Sequence, residues 1–199
     1  MKTATNILFY FFMYFLMISL LIILILFLIL ATVILFHQCY YSFNSRRMVF
    51  FPTLLGTEIK TKLMETVVKY AGKTEEKNLI EFGCGIGQTV HFLGKKFVWQ
   101  KVLGLEVDNL TFLGARFYNF LQKPSINLEK ADILTYPMSG QNVVYCYLGP
   151  DLMSLLYNSG QFANCLVISL SFRIHECEPA DKILLKSSHG QIYVYDFLQ

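Results

Sequence analysis

The hydrophobic pattern changes character twice along the chain. Residues 7–36 are almost unbroken Leu, Ile, Phe and Met, and residues 3–45 contain no Asp, Glu, Lys or Arg. Thirty helical residues extend about 45 Å, more than a hydrocarbon core of about 30 Å, so the run predicts one membrane-crossing helix. A cleaved signal sequence would carry a shorter apolar region of about 7–15 residues and a small-residue cleavage site. His37-Gln38-Cys39-Tyr40-Tyr41 offers no such site, and an uncleaved anchor is expected. After Pro52-Thr53 the pattern becomes helical and one-sided. Leu55, Ile59, Leu63, Val67 and Ala71 recur every fourth residue, and Gly72 can end the helix.

Short apolar runs then alternate with amphipathic ones. Strands are expected at 79–82, 101–107, 127–131, 142–148 and 165–172, and helices at 88–97, 109–121 and from Pro150 to about Asn158. The run at 142–148 is suited to the centre of a sheet. Runs at 182–188 and 191–197 flank His189-Gly190 and read as an antiparallel hairpin. The order predicts an α/β fold, a parallel sheet with helices on both faces, closed by a C-terminal antiparallel hairpin and preceded by one transmembrane helix. The expected division is an anchor at 1–45, a juxtamembrane linker at 46–54 and the α/β domain at 55–199.

Charge gives the expected orientation. Lys2 stands alone before the apolar run, whereas Arg46, Arg47, Lys60 and Lys62 follow it, offset only by Glu58. The positive-inside rule therefore puts the C-terminal domain on the cytoplasmic side, or on the equivalent matrix side. Arg46-Arg47 is also close enough to the run to meet anionic headgroups. From residue 46 onward the net charge is only +2, which is no basic field for nucleic acid. The five cysteines form no C-x-x-C pair, so neither a disulfide framework nor a metal site is expected.

The chemistry centres on Glu81-Phe82-Gly83-Cys84-Gly85-Ile86-Gly87, where the first strand meets an acid and then three alternate glycines. Glycine there lets the backbone turn sharply and lets a ligand lie against it. A dinucleotide fingerprint would have its third glycine at Gln88, and a pyrophosphate would meet repulsion from Glu81. S-adenosylmethionine (AdoMet) suits the pattern better, because it lacks phosphate and carries an ammonium that a strand-end carboxylate can bind directly or through water. The motif resembles the first motif of class I AdoMet-dependent methyltransferases. Glu81, Gly83, Cys84, Gly85 and Gly87 are then cofactor residues. Glu106, closing the second strand, can accept the ribose hydroxyls, with Asp108 as its rival, and Asp132 after the third can accept the adenine amino group.

The resemblance extends further. Phe51-Pro52-Thr53, Gly104-Leu105-Glu106, Asp132, Val143-Val144-Tyr145-Cys146-Tyr147-Leu148-Gly149-Pro150-Asp151-Leu152-Met153 and Ile192-Tyr193-Val194-Tyr195 are similar to the small membrane-anchored protein-lysine N-methyltransferases. Those enzymes modify the ATP synthase c subunit and the adenine nucleotide translocase. The resemblance implies a membrane protein with an accessible lysine as partner, with the bilayer engaged through residues 7–36. It also suggests Tyr147 lining an acceptor channel, Pro150 shaping the turn, and Asp151 receiving a proton or attracting the lysine unless it caps a helix. Pro52 and Thr53 become substrate contacts, unless Thr53 caps the helix that follows. The exit of the fifth strand departs from that family: Phe172-Arg173-Ile174-His175-Glu176-Cys177-Glu178-Pro179 replaces a Pro-Gly-Trp-containing loop. Methylation of a lipid headgroup or quinone, and AdoMet binding by a non-catalytic scaffold, remain the alternatives.

Overall fold

The computed structural model describes residues 2–45, 55–122, 126–186 and 190–198, with side chains of the first helix described for 12–36. Pro52, Thr53, Arg46, Arg47 and His189 lie outside the described residues. The chain divides into two compact units, Met1–Val49 and Phe50–Gln199. The first holds α1 (Lys2–Ser45), whose stretch Phe12–Phe36 is long and apolar enough to cross a membrane.

The second unit is a seven-stranded sheet. Its strands are β1 (Asn78–Phe82), β2 (Lys101–Glu106), β3 (Asn127–Lys130), β4 (Asn142–Cys146), β5 (Cys165–Leu170), β6 (Asp181–Leu184) and β7 (Gln191–Asp196). They lie in the order β3-β2-β1-β4-β5-β7-β6. The first five are parallel, and β7 enters antiparallel between β5 and β6. The expected hairpin is present, and fully buried β4 occupies the middle of the sheet. The helices are α2 (Thr57–Tyr70), α3 (Gln88–Lys96), α4 (Asn109–Leu121) and α5 (Pro150–Asn158).

Strand alternation builds two cores. Leu79, Val143, Tyr145, Leu166 and Ile168 face one way and meet Ile59, Leu63 and Val67 of α2 and Val90 and Leu93 of α3. Ile80, Phe82, Leu103, Leu105 and Val144 face the other way and meet Met153 and Leu156 of α5. The four-residue spacing that predicts α2 is thus its buried stripe, and Gly72 (φ +62°) follows the cap at Ala71.

Several of the parallel strands stop short of the sequence expectation, all at the carboxyl edge. β2 ends at Glu106 because the N–H groups of Val107 and Asp108 turn back to donate to the Glu106 carboxylate. β4 ends at Cys146, opposite Phe82, because Gly83 (φ +65°) carries the neighbouring backbone away. Apolar Tyr147 and Leu148 therefore continue past the ladder. β5 ends at Leu170 because Ser171 adopts φ +69°. A 3₁₀ turn, Thr74–Glu76, is too short to leave a periodic signal.

Candidate active site

The carboxyl edge of β3-β2-β1 gathers the predicted cofactor residues. Beyond Phe82 the chain passes through Gly83, Gly85 and Gly87, with φ of +65°, +57° and +83°. These left-handed values disfavour any residue with a Cβ. A Cβ on Gly83 would come within 2.9 Å of Leu148, whereas one on Gly85 would meet nothing within 4 Å. Gly85 therefore borders open space, and its missing side chain leaves room for a ligand. The turn is held by Cys84 N–H donating to Leu105 O (2.9 Å) and Gly87 N–H donating to Cys84 O (2.8 Å). Cys84 is itself buried with its thiol beside Gly104, so only its backbone belongs to the crevice. Burial pushes that thiol well above its ordinary pKa.

Glu106 lies across this turn. Its Oε2 accepts from Gly85 N–H at 2.9 Å, and its Oε1 accepts from Val107 N–H (2.9 Å) and Asp108 N–H (3.0 Å). Burial raises its pKa, while these three donors pull it back down. Asp108 is committed elsewhere: its Oδ1 accepts from both Thr111 N–H (2.8 Å) and the Thr111 hydroxyl (2.7 Å), capping α4. Of the two carboxylates weighed for the ribose, Glu106 is the one tied to the glycine turn. Ala131 N–H donates to Glu106 O (3.1 Å), so Asp132 follows directly beyond the last β2–β3 tie. Asp132 also closes a local turn, its Oδ1 accepting from Leu134 N–H at 3.0 Å.

Glu81 is placed deeper than a strand-end ligand would be. It faces the α2/α3 side of the sheet, paired in register with Gly104 and Tyr145. Its Oε2 accepts from Val90 N–H at 2.8 Å in the first turn of α3. Gly87, at the N-cap, has no side chain to do this, so Glu81 caps the helix from the neighbouring strand. Desolvation raises the Glu81 pKa to about 8, against the lowering effect of the Val90 N–H and the Thr89 hydroxyl. At 6% exposure, the carboxyl group is withdrawn beneath the surface of the turn.

Tyr147, Pro150 and Asp151, expected on the acceptor side, follow the end of β4, and Phe172 follows the end of β5. The rings of Tyr147 and Phe172 lie 5.5 Å apart with a 39° tilt. Pro150 opens α5 and Gly149 is its N-cap, so Asp151 sits inside the first turn rather than at the cap position considered for it. Its charge there still complements the helix dipole. The β5 exit is pinned by Ser169 Oγ donating to Phe172 O (2.6 Å), by Ile174 N–H donating to Tyr195 Oη (2.8 Å) and by an Arg173–Glu178 ion pair (3.0 Å).

Three contributors were not singled out from sequence. Thr89 bonds the Glu81 carboxylate, Gln88 Oε1 accepts from Leu55 N–H at 3.4 Å, and Phe172 partners Tyr147. A polar first turn directly after the glycines was the available signal for Thr89 and Gln88. Nothing local marked Phe172 as the partner of a residue on another strand. Among the described residues, no group of three His, Cys, Asp or Glu could hold a metal ion.

This strand order and glycine turn define the fold of the class I AdoMet-dependent methyltransferases. An RNA methyltransferase from Salinibacter ruber, in complex with S-adenosyl-L-homocysteine, superposes with a TM-score of 0.63 at 19% identity, covering 75% of this chain and 95% of that one. A ribosomal protein L11 methylase from Lactobacillus delbrueckii subsp. bulgaricus gives 0.54 at 14% identity, covering 72% and 81%. No protein-family model and no curated protein matches the chain.

Proposed function

We propose that this protein is an AdoMet-dependent methyltransferase, anchored in a membrane by α1, whose acceptor is a lysine amine of a membrane protein. The observation that carries the AdoMet reading is the Gly85–Glu106 contact, 2.9 Å across the turn, beside the space left by the missing Gly85 side chain. Glu106 would accept the ribose hydroxyls, Asp132 the adenine amino group, and Glu81, ionised by the approaching positive charge, the ammonium through water. AdoMet, when bound, supplies a methyl group already activated on a sulfonium.

The protein's part is then positioning and exclusion of water. Tyr147 and Phe172 provide an aromatic wall beyond the β4 and β5 ends, against which an amine is desolvated. That favours its neutral, nucleophilic form. Asp151, exposed at the start of α5, draws a cationic lysine toward this wall and can receive its proton. The lysine assignment rests on the run from Val143 to Met153 and on the apolar anchor.

The test is incubation of membranes containing the protein with methyl-labelled AdoMet, followed by separation of lipid from protein. Label on lysines of a membrane protein is the expected result. Label confined to lipid overturns the lysine reading, and AdoMet binding by calorimetry with no methylated product overturns the enzyme reading.

A further inference from the structure

Helix α4 is apolar on the side away from the sheet. Ala115 is its one buried residue, while Leu110, Leu113, Phe117, Phe120 and Leu121 are 44–75% exposed. At 100° per residue these five fall within an arc of about 100° centred opposite Ala115. The inner face is already occupied: Gly114 lies beside Ile86 of the glycine turn, and the Tyr118 ring meets the edge of His91 at 5.4 Å. Among the described residues nothing covers the outer stripe, which is longer than the scattered apolar residues normal on a water-facing surface.

We propose that this face of α4 lies in the interfacial layer of a lipid bilayer, the same bilayer that α1 enters; the inference rests on the anchor reading above. Charge supports a lipid occupant. α4 contains no acidic residue. Arg116 is exposed at the edge of the stripe, and Lys95 donates from its ammonium to Gln122 O (3.3 Å) and Oε1 (3.0 Å) at the helix end, with exposed Lys96 beside it. An apolar face of Leu and Phe flanked by cations is the pattern of a helix lying in an anionic interface.

The tether supports the same occupant. A domain on the same chain as a membrane anchor is confined near that bilayer, so even weak insertion is held by high local concentration. Docking there has a consequence for the chemistry. Asp108, which caps α4, lies two residues beyond Glu106, so the cofactor crevice would open next to the headgroups. Acceptor amines close to the membrane surface would then be favoured.

The experiment uses the full chain reconstituted in vesicles of 3:1 phosphatidylcholine to phosphatidylglycerol, with or without acyl-chain-brominated lipid. Phe120→Trp is the reporter, Leu184→Trp on the opposite sheet edge is the control, and unmodified protein with its native Trp99 is the baseline. Bromine should quench the added emission at position 120 roughly two-fold or more, and leave position 184 unchanged. No added quenching in protein that survives an alkaline carbonate wash overturns the docking and leaves the anchor intact. Loss of the protein in that wash overturns the anchor reading and the docking together. An unquenched Trp at position 120 that cross-links to a second copy assigns the face to a protein contact and overturns the proposal.

Discussion

At Gly85 the backbone needs φ +57°, yet a Cβ would meet only open space. Gly85→Val therefore strains the turn by about 1–2 kcal/mol without disturbing the sheet core. The branched side chain projects where the cofactor's methionine end is proposed to lie. AdoMet affinity measured by calorimetry should fall by at least about 100-fold, near 3 kcal/mol, in a protein with unchanged circular dichroism. Unchanged affinity would remove the pocket from this turn.

Glu81 makes a second residue-level prediction. Its carboxyl titrates at about 8 in the fold, against about 4.3 in an unfolded chain. The folded state therefore holds the proton more tightly, and the associated stability is complete below about pH 4.3 and lost as pH rises through about 8. Thermal unfolding followed by Trp99 fluorescence should show the melting temperature falling by roughly 5 °C or more between pH 5.5 and 8.5. Glu81→Gln keeps an acceptor for Val90 N–H and should flatten that slope. An identical slope in both proteins would mean that Glu81 is not the titrating group.

At the scale of elements, the glycine turn depends on the strand beside it. A Cβ on Gly104 of β2 would approach Leu128 Cδ2 at 2.9 Å and Cys84 Sγ at 3.0 Å. Gly104→Ala should cost about 1–3 kcal/mol in denaturant unfolding by overpacking this contact. Because Gly104 lies beneath the turn and not in the crevice, protein that remains folded should keep AdoMet affinity within about three-fold. The pair Gly85→Val and Gly104→Ala thus separates a ligand-side glycine from a packing glycine. A loss of binding in folded Gly104→Ala as large as in Gly85→Val would contradict that division. Sequence spacing located the strands and helices because β1, β4 and β5 are buried on both faces and α2 on one stripe. It overran the carboxyl ends of β4 and β5, since apolar character continues through Tyr147, Leu148 and Phe172 after the ladder partners have turned away.

At the scale of the whole molecule, the charges flanking residues 3–45 predict topology. Only Lys2 precedes the run, and Arg46 and Arg47 follow it. In sealed membranes, protease added to the cytoplasmic or matrix-equivalent face should digest the domain, whereas protease on the other face should leave it whole. Protection from the first face would reverse the orientation and place the domain away from a cytosolic supply of AdoMet.

The sequence by itself determined the order of strands and helices, the apolar helix, the glycine turn and the acids at the ends of successive strands. Each of these is written in local periodicity or in residues adjacent along the chain. Only tertiary structure decided what the acids do. It turned Glu81 inward to cap α3 and gave Asp108 to α4, and it brought Glu106 within hydrogen-bonding distance of Gly85, 21 residues away. The same limit hid the outward apolar face of α4: periodicity reveals that a helix has an apolar stripe, but only packing reveals which stripe the sheet has already buried.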